Sequence, residues 1–306
     1  MTSITRSRLR PTWDDEPSIA GKLTKAVGLV IMVLVIVFPI YVVVLTSISS
    51  GKAINEAGGL VMIPDGFSFQ AYAEVLGGGV VVKALLVSMG VTIVGTAISL
   101  SVTAMAAYGL SRPGSFLHRP LLFTVLVTFL FGPGIIPSYL LVNSLGLIDS
   151  YWSLILPGAI SAFNLVVLRS FFMGIPGEVI ESAKIEGASD FLIFRKIVLP
   201  LSKAALAVIG LFYAVSYWNA FFNAMLYLND SAKWPLQLVL RTYVLDGAPM
   251  QTASGTVDPS SLGLAAVPVT SVRMAVLVLA MIPVAAIYPF VQRHFIKGVI
   301  VGAVKG

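Results

Sequence analysis

The side chains best suited to chemistry are concentrated in one charged stretch, residues Ile175–Leu201, with the sequence IPGEVIESAKIEGASDFLIFRKIVLPL. We call this stretch the polar loop. Uncharged runs of roughly twenty residues, enough to cross a bilayer, lie on both sides of it. Its carboxylates and ammonium groups can form charge-assisted hydrogen bonds with a binding partner. The residues of this stretch are therefore suited to binding a partner.

Local signals in the polar loop predict two short helices joined at a glycine. Pro176 suits the first turn of a helix, where its missing N–H is no loss. Gly187 can end that helix, and Ser189 can cap a second helix over Asp190–Val198. Pro200 then opens the next apolar segment.

The composition predicts an integral membrane protein without a catalytic centre. Of the 306 residues, 57% are hydrophobic and 11% are charged, against about 25% charged in a soluble domain. The chain has no cysteine, and its two histidines, His118 and His294, lie near basic residues at segment ends. The sequence also lacks a phosphate-binding G-x-x-x-x-G-K-[ST] loop, an H-E-x-x-H motif and a G-x-S-x-G motif. We therefore expect no catalytic residue, no metal site, and no energy source within this chain.

The fold predicted from hydropathy is all-α, with six transmembrane helices. Fifteen of the 20 Lys and Arg residues fall in four regions. These regions are the segment before the first span, the connection between spans two and three, the connection between spans four and five, and the segment after the sixth span. The positive-inside rule therefore places both termini and the polar loop in the cytoplasm. Residues 1–25 form an N-terminal tail and residues 293–306 a C-terminal tail on either side of the six-span region 26–292. The predicted spans are about 26–46, 84–110, 120–142, 151–169, 204–228 and 273–292.

The outer connections differ in character. The first contains a possible surface helix from Phe69 to Leu76. The long outer loop 229–272 begins with an amphipathic piece, Trp234 to Leu245. A Gly/Ala/Ser/Pro-rich stretch, 246–268, follows and is predicted to be flexible. It is either a contact surface or a tolerated insertion.

Two features inside the spans are candidates for a solute pathway. Gly132-Pro133-Gly134 and Pro137 should break the third span near its middle, and irregular backbone at that depth either packs on protein or lines a cavity. Asn219 and Asn223 lie four residues apart, on one helix face, among aromatic residues. Amides with aromatic rings suit sugar recognition, or form an interfacial belt with interhelical hydrogen bonds. The full candidate set is Gly132, Pro133, Pro137, Tyr139, Asn164, Trp218, Asn219, Phe222 and Asn223.

The polar loop resembles the EAA motif of permease subunits from binding-protein-dependent ABC importers. From Glu181 it reads E-S-A-x-x-x-G, nine further positions, and then I-x-L-P beginning at Ile197. Ser182 replaces the usual second alanine. The resemblance implies that an ATPase docks on a cytoplasmic coupling helix. The residues implied for this role are Glu181, Ser182, Ala183, Gly187, Ala188, Phe194, Ile197, Leu199 and Pro200.

Further segments resemble the carbohydrate-uptake branch of that family, most closely the second permease of oligosaccharide and polysaccharide-fragment systems. They are Ile63–Ser68 before Tyr72, Trp218-Asn219, and the ending from Phe295 to Gly306. The resemblance implies a type I permease fold in the cytoplasmic membrane. Its implied partners are a second homologous permease, an ATPase dimer that holds ATP and Mg, and an extracellular solute-binding lipoprotein. The alternative, a self-sufficient secondary carrier or channel, is disfavoured because no span centre carries a charge.

Overall fold

The computed structural model describes residues 18–112, 114, 117–246, 249–252, 255–257 and 268–303. Most of the predicted N-terminal tail, most of the stretch 246–268, and residues 304–306 lie outside the described residues.

Three continuous helices are long and apolar enough to cross a bilayer. They are α1 (Ile19–Ser47), α4 (Val80–Ser111) and α15 (Val269–Ala303). Ser18 caps α1 by accepting a hydrogen bond from the Gly21 N–H at 3.1 Å. α1 exposes nearly all of its apolar surface and packs on α15.

Three further helix pairs pass the same test of length and hydropathy, but each is bent. The first is α5 (His118–Leu130) with α6 (Ile135–Ser144), bent by 118°. The second is α7 (Trp152–Ile155), extended by a 3-10 turn at Leu156–Gly158, with α8 (Ala162–Met173), bent by 51°. The third joins the second helical segment of the polar loop to α12 (Lys203–Trp218), bent by 84°. The described chain therefore has at least three spans, and six if each bent pair is one.

The predicted break in the third span is confirmed. Helix α5 ends at Leu130, and α6 begins only after Gly134, whose φ of 81° suits glycine. Pro133 cannot donate a backbone hydrogen bond, and its ring disfavours a continuous helix at this point.

The fourth span contains a break that the hydropathy pattern did not predict. It falls after Pro157-Gly158, between the 3-10 turn and α8. Two buried tyrosines of α12 bind the backbone groups released there. The Tyr217 hydroxyl donates to the Ile155 carbonyl at 3.0 Å, and the Ser161 N–H donates to the Tyr213 hydroxyl at 2.9 Å. Broken spans are tolerated where neighbouring helices supply such partners.

Helix α4 lies at the centre of the bundle, against α8 and α12. Its small residues allow a close approach: a Cβ on Gly95 would lie 2.8 Å from the Tyr217 ring. The same tyrosine hydroxyl is 2.7 Å from Ser99 Oγ, and Thr103 Oγ1 is 2.7 Å from the Tyr213 hydroxyl. Helix α12 is thereby tied to α4 and to the break between α7 and α8 through buried hydroxyl groups.

The connections that follow α1 and α12 are partly helical. They contain α2 (Gly51–Glu56) and α3 (Gln70–Gly77), which confirms the predicted surface helix. A short helix, α13 (Phe221–Tyr227), is followed by a 3-10 turn at Ser231–Lys233 and then α14 (Leu236–Leu240), which continues as π-helix over Arg241–Leu245. Leu236, Leu238, Val239 and Leu240 are all buried, so α14 is more enclosed than an amphipathic surface helix.

One element departs from an all-α fold. Strands β1 (Met250–Thr252) and β2 (Gly255–Val257) form a short antiparallel hairpin in the long loop between α14 and α15.

Candidate functional site

The polar loop folds as two helical segments joined at a glycine, as predicted. The first is α9 (Gly177–Ile185), and Gly187 follows it with φ of 83°. The Gly187 N–H donates to the Lys184 carbonyl and the Ala188 N–H to the Ala183 carbonyl, at 3.0 and 2.9 Å. This pair of bonds is a Schellman motif, which ends a helix at a left-handed residue.

The second segment begins at a side-chain cap and is longer than predicted. Ser189 Oγ accepts a hydrogen bond from the Leu192 N–H at 3.3 Å. The helix comprises α10 (Asp190–Ile193), a π-helical stretch over Phe194–Val198, and α11 (Leu199–Leu201).

Both prolines of the loop lie elsewhere than expected. Pro176 is the N-cap of α9 rather than part of its first turn. Pro200 lies inside the second segment, and the next span begins after the bend at Ser202. Because Ser202 separates Pro200 from that span, the proline does not open it.

The residues of the EAA-like motif divide between two faces of the loop. Glu181, Ser182, Gly187 and Pro200 are exposed, whereas Ala183 and Phe194 are buried. Ala188, Ile197 and Leu199 are half-buried against the core. The loop also exposes apolar side chains: Ile185 is 88% exposed and Phe191 is 67% exposed. One face is thus anchored in the bundle, and the other carries an acidic group beside exposed apolar groups.

A polar joint fixes the loop to the end of α4. The Tyr108 hydroxyl donates to the Asp190 carbonyl at 3.1 Å, and Arg112 Nη2 lies 3.2 Å from Asp190 Oδ1. Arg112 is 17% exposed, hydrogen-bonds the Tyr108 hydroxyl, and lies over the Tyr108 ring at 4.5 Å. That ring also packs against Phe194, with centroids 4.9 Å apart. The second segment of the loop is therefore attached directly to the end of α4.

A cavity of about 410 Å³ lies beside this joint. It lies between the end of α4, the end of α8 and helix α9, and Glu181 and Lys184 are among the residues that line it. Next to this cavity, Arg169 Nε on α8 donates to the Leu110 carbonyl of α4 at 2.9 Å, so the two helices are hydrogen-bonded to each other there.

The pathway candidates fall into separate groups. Gly132 and Pro133 are exposed in the break of the third span. Pro137 and Tyr139 lie on α6, which packs on α13, and the Tyr139 and Tyr227 rings stack at 6.2 Å. Asn164 is buried in the first turn of α8.

The candidates near the end of α12 are arranged differently from the sequence expectation. Trp218 is buried, and its Nε1–H donates to the Ala280 carbonyl of α15 at 3.2 Å. The helix stops at Trp218, and Asn219 Nδ2 donates to the Val215 carbonyl at 2.9 Å. Asn223 and Phe222 lie on the separate helix α13. Asn219 and Asn223 therefore do not share a face of one continuous helix, because α12 ends at Trp218 and α13 begins only at Phe221.

No group of three or more His, Asp or Glu side chains that could hold a metal ion occurs within the described residues.

Relatives of known role match almost the whole chain. YtcP of Bacillus subtilis, a polygalacturonan/rhamnogalacturonan transport system permease protein, is 47% identical over 279 residues, which cover 91% of this chain and 96% of that protein. The chain belongs to the permease subunits of ABC transporters. LplC of the same organism is 44% identical over 245 residues, which cover 80% of this permease and 81% of that protein. No protein-family model matches.

A solved structure shows the same architecture. A chain of a bacterial ABC transporter involved in the import of the acidic polysaccharide alginate superposes on this permease with a TM-score of 0.84. It is 32% identical, and the match covers 94% of this permease and 100% of that chain. The permease is accordingly an integral membrane transport subunit rather than an enzyme.

Sequence reasoning missed the joint that anchors the polar loop in the permease. In the sequence, Arg112 contributed only to the count of positive charges that predicted the topology, and nothing distinguished Tyr108. The available signal was a tyrosine and an arginine four residues apart at the end of span two, a spacing at which side chains meet on a helix.

Proposed function

We propose that this chain is one of two homologous permease subunits in an ATP-driven carbohydrate importer of the cytoplasmic membrane. Six spans, with both termini in the cytoplasm, place the polar loop on the ATPase side. An ATPase dimer holding ATP and Mg docks there, and an extracellular binding protein delivers the cargo. The names of YtcP and the alginate transporter support a carbohydrate cargo, and the former's polygalacturonan is, like alginate, a chain of uronic acids.

The observation that carries the proposal is the anchored geometry of the polar loop. Its exposed face offers the Glu181 carboxylate and the apolar side chains of Ile185 and Phe191 to a partner. Its buried face is held by the Tyr108–Arg112–Asp190 joint. The loop then turns by 84° into α12. When two ATPases close on ATP, this arrangement passes their movement to spans two and five as a rigid-body rotation.

The pathway candidates have a place in the same mechanism. Irregular backbone at Gly132–Gly134 and between Asn219 and Ala220 is tolerated at membrane depth where it lines a cavity. We place Asn219 and Asn223, with the other candidates of α6 and α13, beside the route of the sugar. Asn219→Ala and Asn223→Ala should each change the rate or preference of uptake in proteoliposomes. Unchanged kinetics for every accepted sugar would remove both residues from the pathway.

The docking role is tested by reversing one charge on α9. Glu181→Lys should lower the amount of ATPase that co-purifies with the permease by about tenfold or more, since a charge-assisted hydrogen bond is replaced by repulsion. Uptake should fall in parallel while the amount of permease in the membrane stays constant. Glu178→Lys, on the same helix and also exposed, is the matched control and should retain the ATPase. Full ATPase recovery together with normal uptake in the Glu181 variant would refute this assignment.

A further inference from the structure

A second cavity lies at the opposite end of α4 from the polar loop. It is a groove of about 500 Å³ between the first half of α4 and the start of α7. This volume lies within the range of small-molecule sites in proteins. The lining residues that matter here are Lys83, Gly90, Val94, Tyr151 and Trp152.

Lys83 is the cation of this groove, and it has no counter-ion within the part of the chain that the structure describes. Its side chain is exposed, and no carboxylate among the described residues forms an ion pair with it. The nearby Lys233 differs, because its Nζ lies 2.8 Å from Asp149 Oδ2 and donates to the Asp149 carbonyl at the same distance. Lys83 therefore remains available to an anion that arrives from outside the chain.

The groove also presents two aromatic rings. Tyr151 is 38% exposed and Trp152 is 47% exposed, next to each other where the outer turn enters α7. The floor is open at Gly90, where an added Cβ would meet no atom within 4 Å. Rings at the wall of an open groove can pack on a flat apolar ligand surface while its polar edge stays in water.

The position of Lys83 makes the upper part of the groove accessible to water. Helix α4 has 32 residues, about 48 Å of helix, against a hydrocarbon core of about 30 Å. Lys83 is the fourth residue of this helix. A centred helix thus holds the ammonium group above the hydrocarbon, where a hydrophilic solute can reach it.

We propose that this groove is a subsite for an acidic sugar residue. The Lys83 ammonium binds the carboxylate of a uronate, and the rings of Tyr151 and Trp152 pack on the apolar face of its pyranose. The inference rests on the proposed function, which places this end of α4 outside the cell, and it narrows the cargo to oligosaccharides that carry carboxylates.

The test measures sugar binding by the assembled transporter in nanodiscs, without the binding protein. The probes are α-1,4-linked trigalacturonate and neutral galactotriose of the same length and linkage, observed by saturation-transfer NMR. Lys83→Gln should weaken trigalacturonate binding about tenfold, equivalent to about 1.4 kcal/mol, and Lys83→Arg should restore most of it. Galactotriose binding should be the same in all three proteins. Lys52→Gln, at an exposed lysine paired with Glu56, is the control and should resemble the wild type.

Three results would overturn the subsite. The first is equal binding of trigalacturonate by the wild type and Lys83→Gln. The second is no trigalacturonate signal from the wild type. The third is a loss of bound phosphatidylglycerol from Lys83→Gln in native mass spectrometry with an unchanged sugar signal, which assigns the groove to a lipid. Uptake by the wild-type transporter distinguishes failure of the subsite from failure of the proposed function. If the transporter moves only neutral oligosaccharides, the uronate subsite is refuted and the proposed carbohydrate importer is retained. If it moves no carbohydrate, both proposals are refuted.

Discussion

Substitutions at Gly187 test whether backbone conformation fixes the direction of the polar loop. Gly187 has φ of 83°, and a Cβ added there would meet nothing within 4 Å among the described residues beyond its chain neighbours. The penalty for a side chain is therefore conformational rather than steric. Alanine in this left-handed region costs roughly 1–2 kcal/mol, which shifts a local equilibrium about five- to thirty-fold. Asparagine tolerates the region better, and a β-branched residue is a genuine outlier there.

The expected effect is a graded loss of coupling. As the strain increases, the two hydrogen bonds from Gly187 and Ala188 that end α9 are lost more often, and the second segment changes direction. Retention of the ATPase and uptake should both fall in the order glycine, asparagine, alanine, valine, with equal amounts of permease in the membrane. Gly177→Ala is the matched control, because Gly177 lies in the same loop, has no positive φ, and also faces open space.

Two outcomes would refute this reasoning. If Gly187→Val retains the ATPase and transports at the wild-type rate, the left-handed conformation is unimportant for coupling. If Gly187→Asn is as defective as Gly187→Val, the restriction lies in space needed by the ATPase and not in φ.

Two other predictions concern stability, measured by thermal unfolding of the purified permease. Gly95→Ala should destabilise the permease by about 1–3 kcal/mol through overpacking, because the new methyl group meets the Tyr217 ring at 2.8 Å. The control is Gly109→Ala, on the same helix but in open space, which should be neutral or slightly stabilising. Equal melting temperatures of the two variants would contradict the close packing of Gly95 on Tyr217. Hydrogen bonds from Lys233 and from the backbone hold the pKa of the Asp149 carboxyl below its ordinary value. A carboxyl group whose pKa is lower in the folded than in the unfolded protein stabilises the fold at pH values above its unfolded pKa. This stabilisation is lost as the pH falls through the pKa of the folded state. The melting temperature of Asp149→Asn should therefore lie below that of the wild type at pH 7, and the difference should shrink below about pH 4; a difference independent of pH would refute the ion pair's role.

Features decided by neighbouring residues in the sequence were predictable. The Schellman end at Gly187, the cap at Ser189 and the break at Gly132–Gly134 all follow from the conformational limits of glycine and proline or from a local hydroxyl. The three continuous apolar helices α1, α4 and α15 followed from hydropathy alone. These signals need no knowledge of which helices become neighbours.

Features decided by distant residues were not predictable. The helix ends at Trp218, where the indole binds the Ala280 carbonyl of α15, so the spacing of Asn219 and Asn223 along an assumed continuous helix was misleading. The joint at Asp190 depends on residues about eighty positions earlier in the chain. Hydropathy averages over a window and does not register a single hydroxyl or indole with one specific partner.

The tyrosines of α12 have a consequence for the biogenesis of the protein. The fourth span leaves the ribosome with the Ile155 carbonyl and the Ser161 N–H lacking their partners, since Tyr217 and Tyr213 are still to be synthesised. A chain that ends before α12 keeps these groups unsatisfied or hydrated, which is unfavourable in lipid. The break between α7 and α8 can thus reach its final hydrogen bonding only after α12 has been synthesised and has packed beside it.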